Sequence, residues 1–172
     1  MSARSPLPRA PEGWLELARS AARETRPPDL APQAQRVLVF TLDGARYALP
    51  VERVREIVRH RSITPVPRVP AAVLGVISLR GQVIQVIDPR PRLALPAARP
   101  GSSARIVVAH DGEGRVAGIL VDSVEEVVAV AEEGLRQARG GATSAVEGLY
   151  RHRGRFVSIV DLDRVMDVHA GA

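Results

Sequence analysis

Carboxylates, imidazoles and guanidiniums are the groups in this chain that could do chemistry, and their placement restricts which chemistry is open. Asp88 and Asp161 are the carboxylates that recur at matched positions of a repeated block. General acid–base work needs a partner base within hydrogen-bond reach, and the duplication supplies none. Each of the two follows an apolar run, the place for a side chain that caps the next turn or helix. The four histidines, His60, His110, His152 and His169, are scattered without metal-ligand spacing. There is no cysteine, no Gly-x-Ser-x-Gly elbow and no phosphate-binding glycine loop. The expectation is a protein that is not an enzyme, with no cofactor and no metal.

The stronger pattern is repetition. Gly75 to Asp88 read GVISLRGQVIQVID, and 73 positions later Gly148 to Asp161 read GLYRHRGRFVSIVD. Four of the fourteen positions are identical, including Arg80-Gly81 against Arg153-Gly154, and six more keep apolar opposite apolar. Upstream, the segment from Arg36, RVLVFTLDGARYALPVERVREIV, matches RIVVAHDGEGRVAGILVDSVEEVV from Arg105. Two matched blocks in the same order imply a duplicated unit of roughly 65–70 residues, too long a period for a solenoid. The first repeat spans about 36–100 and the second about 101–172, behind a leader at 1–35.

Composition limits what these units can be. At 172 residues, 45% apolar and 3% aromatic, the chain can build a core, and that core must be aliphatic. No apolar run reaches the roughly 20 residues that span a bilayer, and the N-terminus lacks a signal-peptide stretch, so the expected location is the cytoplasm. All 24 basic residues are Arg, with a sequence pI near 11.0. The total is less informative than its distribution. Residues 37–100 carry ten Arg against four acids, whereas 101–172 carry eight against eleven. A basic half fused to an acidic half suits head-to-tail association with similar modules, oriented by complementary fields. A nucleic-acid-binding small barrel is the alternative reading. It would need stacking residues on an exposed sheet face, and Phe40, Tyr47, Tyr150 and Phe156 all sit where side chains face a core.

The elements that must position any site are mostly strands. Within the leader, Trp14, Leu15, Leu17, Ala18, Ala21 and Ala22 recur at helical spacing between Glu12 and Thr25, predicting a short amphipathic helix. From Val37 the period becomes two. Leu38, Phe40 and Leu42 precede Asp43-Gly44, and Tyr47, Leu49 and Val51 follow, which predicts a tight hairpin. The same logic places a turn at Asp111-Gly112 and a return strand over 116–121. Gly81 and Gly154 supply left-handed turn positions. Val83–Ile87 and Phe156–Val160 read as strands largely buried on both faces. Pro65, Pro67 and Pro70 exclude regular helix and predict an extended crossover. Leu162–His169 reads as a terminal helix. Short strands at this spacing indicate a sandwich or barrels.

The ordered motifs together resemble the CheW family of chemotaxis coupling proteins. They are Val-x-Glu-Ile in VERVREIV, the Pro-x-x-Pro crossover ITPVPRVP, Gly-Val-Ile-x-Leu-Arg-Gly, Gly-Ile-Leu-Val-Asp and the closing RGRFVSIVDLDRVM. The resemblance covers residues 36 to about 168. It implies an all-β fold with short helices, two SH3-like five-stranded β-barrels related by the duplication and sharing an apolar seam. It implies a non-enzymatic scaffold that couples the cytoplasmic tip of a chemoreceptor to the regulatory domain of a CheA-type histidine kinase. The other implied partners are further CheW-like domains. Nucleic acid is not among them, and the membrane is reached only through the receptor. The implied location is cytoplasmic, with recruitment to receptor arrays. Three positions depart from the usual pattern: Ser78 for Asn, Gln85 for Pro and Pro89 for Leu.

The resemblance also implies a receptor-binding groove between the barrels, at Val54, Glu56, Ile57, Arg80, Gly81, Ile106 and Val124. Val54, Ile57, Ile106 and Val124 would take the apolar stripe of a helix, with Glu56 and Arg80 fixing its register through charge-assisted hydrogen bonds. The competing reading makes the four aliphatic residues core and pairs Arg80 with Glu56 internally.

Overall fold

The computed structural model describes residues 34–131, 134–137 and 145–168; the expected leader helix lies outside them. Eleven strands run in order Gln35–Leu42 (β1), Ala45–Pro50 (β2), Val54–Arg59 (β3), Val73–Leu79 (β4), Gln82–Ile87 (β5), Arg105–His110 (β6), Val116–Val121 (β7), Ser123–Val130 (β8), Leu135–Gln137 (β9), Val146–His152 (β10) and Arg155–Val160 (β11). Short 3-10 turns occupy Val51–Arg53 and Arg90–Leu93, and one helix, Leu162–Met166 (α1), closes the described chain.

The strands form two sheets, ordered β3-β6-β7-β5-β4 and β8-β1-β2-β11-β10-β9. The first five positions of each correspond through the duplication, and β9 is an addition to the second. The repeats are not the sheets. Hairpin β1–β2 of the first repeat pairs with β8 and, in parallel, with β11 of the second. Hairpin β6–β7 of the second repeat pairs with β3 and, in parallel, with β5 of the first. Each sheet curls back on itself. Arg80, at the β4–β5 tip, meets Glu56 on β3 from the opposite end of the sheet order. Arg153, at the β10–β11 tip, meets Glu126 on β8 in the same way.

The exchange makes the two hairpins the elements buried on both faces. On β1, Val37 and Val39 fill the second barrel with Val128, Val157 and Ile159, while Leu38, Phe40 and Leu42 face a central cluster. On β6, Ile106 and Val108 fill the first barrel with Ile77, Val86 and Leu120, while Val107 and Ala109 face the same central cluster. The shared seam is thus built from Leu38, Phe40, Leu42, Tyr47 and Leu49 against Val107, Ala117, Ile119 and Val121, with Val165 and Met166 of α1 beside them. Double burial explains runs such as VLVF and GILV, which continuous hydrophobicity marks better than alternation does. The reading of β5 and β11 as buried on both faces is corrected here: Val83 is 75% and Phe156 65% exposed. Phe156 therefore does not face a core.

Three two-residue turns have both residues in the left-handed region, the type I′ geometry that matches strand twist. They are Asp43-Gly44, Arg80-Gly81 and Arg153-Gly154, with φ of 50° and 73°, 51° and 80°, and 47° and 78°. Asp111-Gly112 differs from its expected tight turn. The loop is longer, its left-handed residue is Gly114 at φ 80°, and the buried Asp111 organises it. Asp111 Oδ1 accepts from the backbone N–H groups of Glu113 and Arg115, and Oδ2 from Arg115 Nε. Burial pushes this carboxyl upward, but the Arg115 side chain and these two backbone donors hold it below the ordinary carboxylate range.

The repeated glycines and aspartates acquire reasons. Gly75, at φ 140°, lies at a bulge where Thr64 crosses β4; an added Cβ would stand 2.1 Å from the Thr64 carbonyl oxygen. Gly148 lies at the matching bulge beneath β9, 3.1 Å from the Arg136 carbonyl oxygen by the same construction. Asp161 caps α1 through Arg164 N–H at 3.1 Å, and Asp88 accepts Arg90 N–H at 3.0 Å, so both act as caps. The helix stops at Met166, short of the expected 169, because Asp167 leaves helical geometry at ψ 82°. His169 itself lies outside the described residues. One packing prediction follows from Gly118, where a Cβ would fall 2.6 Å from Ile106 Cγ2 inside the first barrel. Gly118→Ala should cost about 1–3 kcal/mol by overpacking. Urea unfolding would measure it, and an unchanged midpoint would contradict this account of the barrel.

Candidate functional site

Strand β3 presents its residues unequally. Its pairing with β6 slips between Val54 and Glu56, a bulge that re-aims the side chains there. Arg55, Ile57 and Arg59 stand exposed, and Ile57 is 41% accessible, a large apolar side chain between two guanidiniums in sequence. Glu56 is half-buried. Arg80 approaches it from the type I′ turn, which the Leu79–Gln82 pairing fixes. Arg80 Nη2 donates to Glu56 Oε2 at 3.1 Å, with the Arg80 side chain 80% exposed.

The geometry joins the two readings that the sequence left open. Arg80 and Glu56 do pair internally, yet the pair stands at the surface, where such contacts contribute about 0–1 kcal/mol to folding. Four of the guanidinium's five donors make no hydrogen bond among the described residues and are available to a partner. Gly81 is exposed in the same turn. Val54 and Val124 are half-buried and pack on the seam cluster, one from each barrel. Ile106 is apart from the others. It is fully enclosed in the first barrel with Val108 and Leu120, so it is core and has no surface to offer a helix.

The second barrel carries a counterpart that sequence reasoning did not assemble. Through the offsets of the duplication, Glu126 answers Glu56, Val127 answers Ile57, Arg153 answers Arg80 and Phe156 answers Val83. Arg153 Nη1 lies 3.7 Å from Glu126 Oε2, and Val127 is 44% exposed. This copy is looser. Its Glu126 also faces His152 Nε2 at 3.5 Å, at the position where the first repeat has the buried Leu79. The signal was present in the matched Val-x-Glu blocks, but only the curl of each sheet brings glutamate and arginine together.

No group of three or more His, Cys, Asp or Glu side chains suited to a metal ion occurs among the described residues. His110 spends its ring nitrogens on backbone oxygens, Asp111 O at 3.1 Å and Glu52 O at 3.2 Å. What the arrangement can do is recognise: an exposed aliphatic side chain, a charged pair and a half-buried valine from each barrel.

Comparisons with known proteins agree with this architecture. A family model described as CheW-like domain matches residues 36–170. The chain is 34% identical over 133 residues to the chemotaxis protein CheW of Rhizobium meliloti (strain 1021), covering 75% of this chain and 85% of the relative. It is 32% identical over 137 residues to the chemotaxis protein CheW of Bacillus subtilis (strain 168), covering 77% and 87%. The crystal structure of the scaffolding protein TtCheW from Thermoanaerobacter tengcongensis superposes with a TM-score of 0.73 at 29% identity, over 80% of this chain and 95% of that one.

Proposed function

The chain belongs to the CheW-like domain family, and from that premise we infer that it is a non-enzymatic scaffold coupling a chemoreceptor to a CheA-type histidine kinase. The observation that carries the reading at the level of residues is the exposed Glu56–Arg80 pair beside Ile57. A receptor helix laid across β3 would place its apolar stripe on Ile57 and the accessible edges of Val54 and Val124. Its polar flank would meet Arg80 and Glu56, and the left-handed Gly81 lets the turn stay low enough to be covered. The protein works at the cytoplasmic face, recruited to receptor arrays. Among the described residues no helix is long and apolar enough to cross a membrane.

The kinase side of the scaffold is read from charge. Because the hairpins are exchanged, the first barrel is residues 54–121, with ten Arg against four acids, and the second is 34–53 with 122–168, with nine Arg against eleven. Net charges of +6 and −2 give the molecule two ends of opposite sign. A homologous double barrel in the kinase regulatory domain would dock end to end, with an aliphatic centre supplying affinity and the fields supplying orientation. Titration of that domain should show about tenfold weaker binding when salt is raised from roughly 50 to 500 mM. An affinity unchanged across that range would remove the electrostatic part of the reading. The test of the whole is reconstitution: receptor signalling domain, kinase and this protein should together raise kinase autophosphorylation, and any pair should not. A kinase that responds equally without this protein would defeat the coupling function.

A further inference from the structure

Phe156 is the exposed aromatic side chain of the described surface, 65% accessible on β11 in the second barrel. Beside it lies an open groove of about 370 Å³, lined by Thr41, Arg46, Glu125, Arg155, Phe156 and Ser158. The groove belongs to the other barrel from the Glu56–Arg80 pair, and coupling as argued above does not use it.

Charge around the phenyl ring is one-sided. Arg151 lies directly opposite Phe156 in the β10–β11 ladder, so the two side chains share a face. Arg155 lines the groove, and Arg153 stands 74% exposed at the tip. Neither Arg151 nor Arg155 makes an ion pair among the described residues. The one carboxylate in the groove, Glu125, is already taken by Arg46 at 2.9 Å. A barrel that is acidic in total therefore concentrates unneutralised guanidinium around its most exposed aromatic residue.

Backbone pairing decides the shape of what can dock. Strand β11 is hydrogen-bonded by β2 on one side and β10 on the other, and β10 is covered by β9. The pairing with β2 reaches only Ser158 and Ile159, which leaves the edge at Arg155–Val157, too short to hold an added strand, so recognition falls mainly to side chains. An amphipathic helix presents side chains with its own backbone satisfied. We propose that this groove docks an acidic amphipathic helix of a partner protein, with one apolar residue packed against Phe156 and flanking carboxylates on Arg151 and Arg155.

The test uses the full chain and two dye-labelled synthetic helical peptides that share a leucine stripe, one flanked by Glu and one by Lys, followed by fluorescence anisotropy. The Glu peptide should bind saturably, the Lys peptide should not, and Phe156→Ser and Arg155→Glu should each weaken the Glu peptide at least about tenfold. Phe156→Ser should melt as the parent does, because the side chain is exposed; if it does not, Arg155→Glu supplies the reading alone. A Glu peptide that fails to saturate, that binds both variants like the parent, or that is matched by the Lys peptide overturns the proposal. Receptor-dependent kinase activation should survive Phe156→Ser, so loss of this site and loss of the coupling function are read separately.

Discussion

Arg80→Ala should abolish most receptor-dependent kinase activation while leaving the protein folded. Its side chain is 80% exposed, so truncation removes an exposed ion pair and little packing, and the stability change should stay within about 0.5 kcal/mol. The backbone argument points the same way. Position 80 sits at φ 51°, where arginine gains nothing over alanine, and the glycine next to it carries the more demanding φ of 80°. The loss at the docking face should be much larger, on the order of tenfold or more in receptor affinity, because a charge-assisted contact at the middle of an interface is lost and Glu56 is left without its cation. Arg153→Ala is the internal control. It truncates the matched residue of the other barrel, whose ion pair is longer at 3.7 Å. It should leave coupling largely intact. Melting curves and kinase assays on both variants decide the matter. An unfolded Arg80→Ala would make the residue structural, and a folded variant that still couples would remove it from the site.

Why the fold was legible in part comes down to what local sequence encodes. Asp43-Gly44, Arg80-Gly81 and Arg153-Gly154 are turns because glycine there relieves a left-handed second position, which is a property of two adjacent residues. Asp111-Gly112 carries the same letters and folds otherwise, because the Asp111 carboxylate gathers two backbone donors and Arg115 into a longer loop. The crossover was legible for the same local reason: prolines forbid helix, and Thr64 pairs with Val76 in an extended bridge. Hairpin exchange was not legible. A period of two at Val37–Leu42 misses the burial of both its faces, and nothing local says that each hairpin completes the other repeat's barrel. The same gap explains Ile106. It matches a family position at a groove, and only the exchange shows that its face of β6 points into a barrel already filled by Val86 and Leu120. Phe156 was misplaced because the run Phe156–Val160 is apolar except for Ser158, and such a run cannot say which end of a strand the sheet leaves uncovered.

The largest stability effect should come from Arg90, a residue that no motif drew attention to. It is 1% exposed, donates Nη1 to Asp88 at 3.2 Å and Nη2 to Asp122, and has no partner for Nε among the described residues. Asp122 in turn accepts the backbone N–H of Asp43 at 2.8 Å, so one guanidinium ties the end of β5 to the β7–β8 junction and to the exchanged β1–β2 turn. Removing one partner of a buried pair leaves charge without compensation, which typically costs about 3–5 kcal/mol. Arg90→Met should therefore lower the melting temperature by roughly 10 °C, given about 2–4 °C per kcal/mol for a domain near this size. The unfilled Nε and the desolvation of three charges mean that the network itself contributes less than its disruption costs. Its use is to fix which turn meets which barrel. Arg90→Met combined with Asp88→Asn and Asp122→Asn keeps both side-chain caps as amide oxygens and removes every charge of this network. That triple variant should regain at least about half of the lost stability. Differential scanning calorimetry on the single and triple variants reads both numbers. A single variant that melts within about 2 °C of the parent, or a triple variant less stable than the single, would mean that Arg90 is held by packing and that the ion pairs do not organise the exchange.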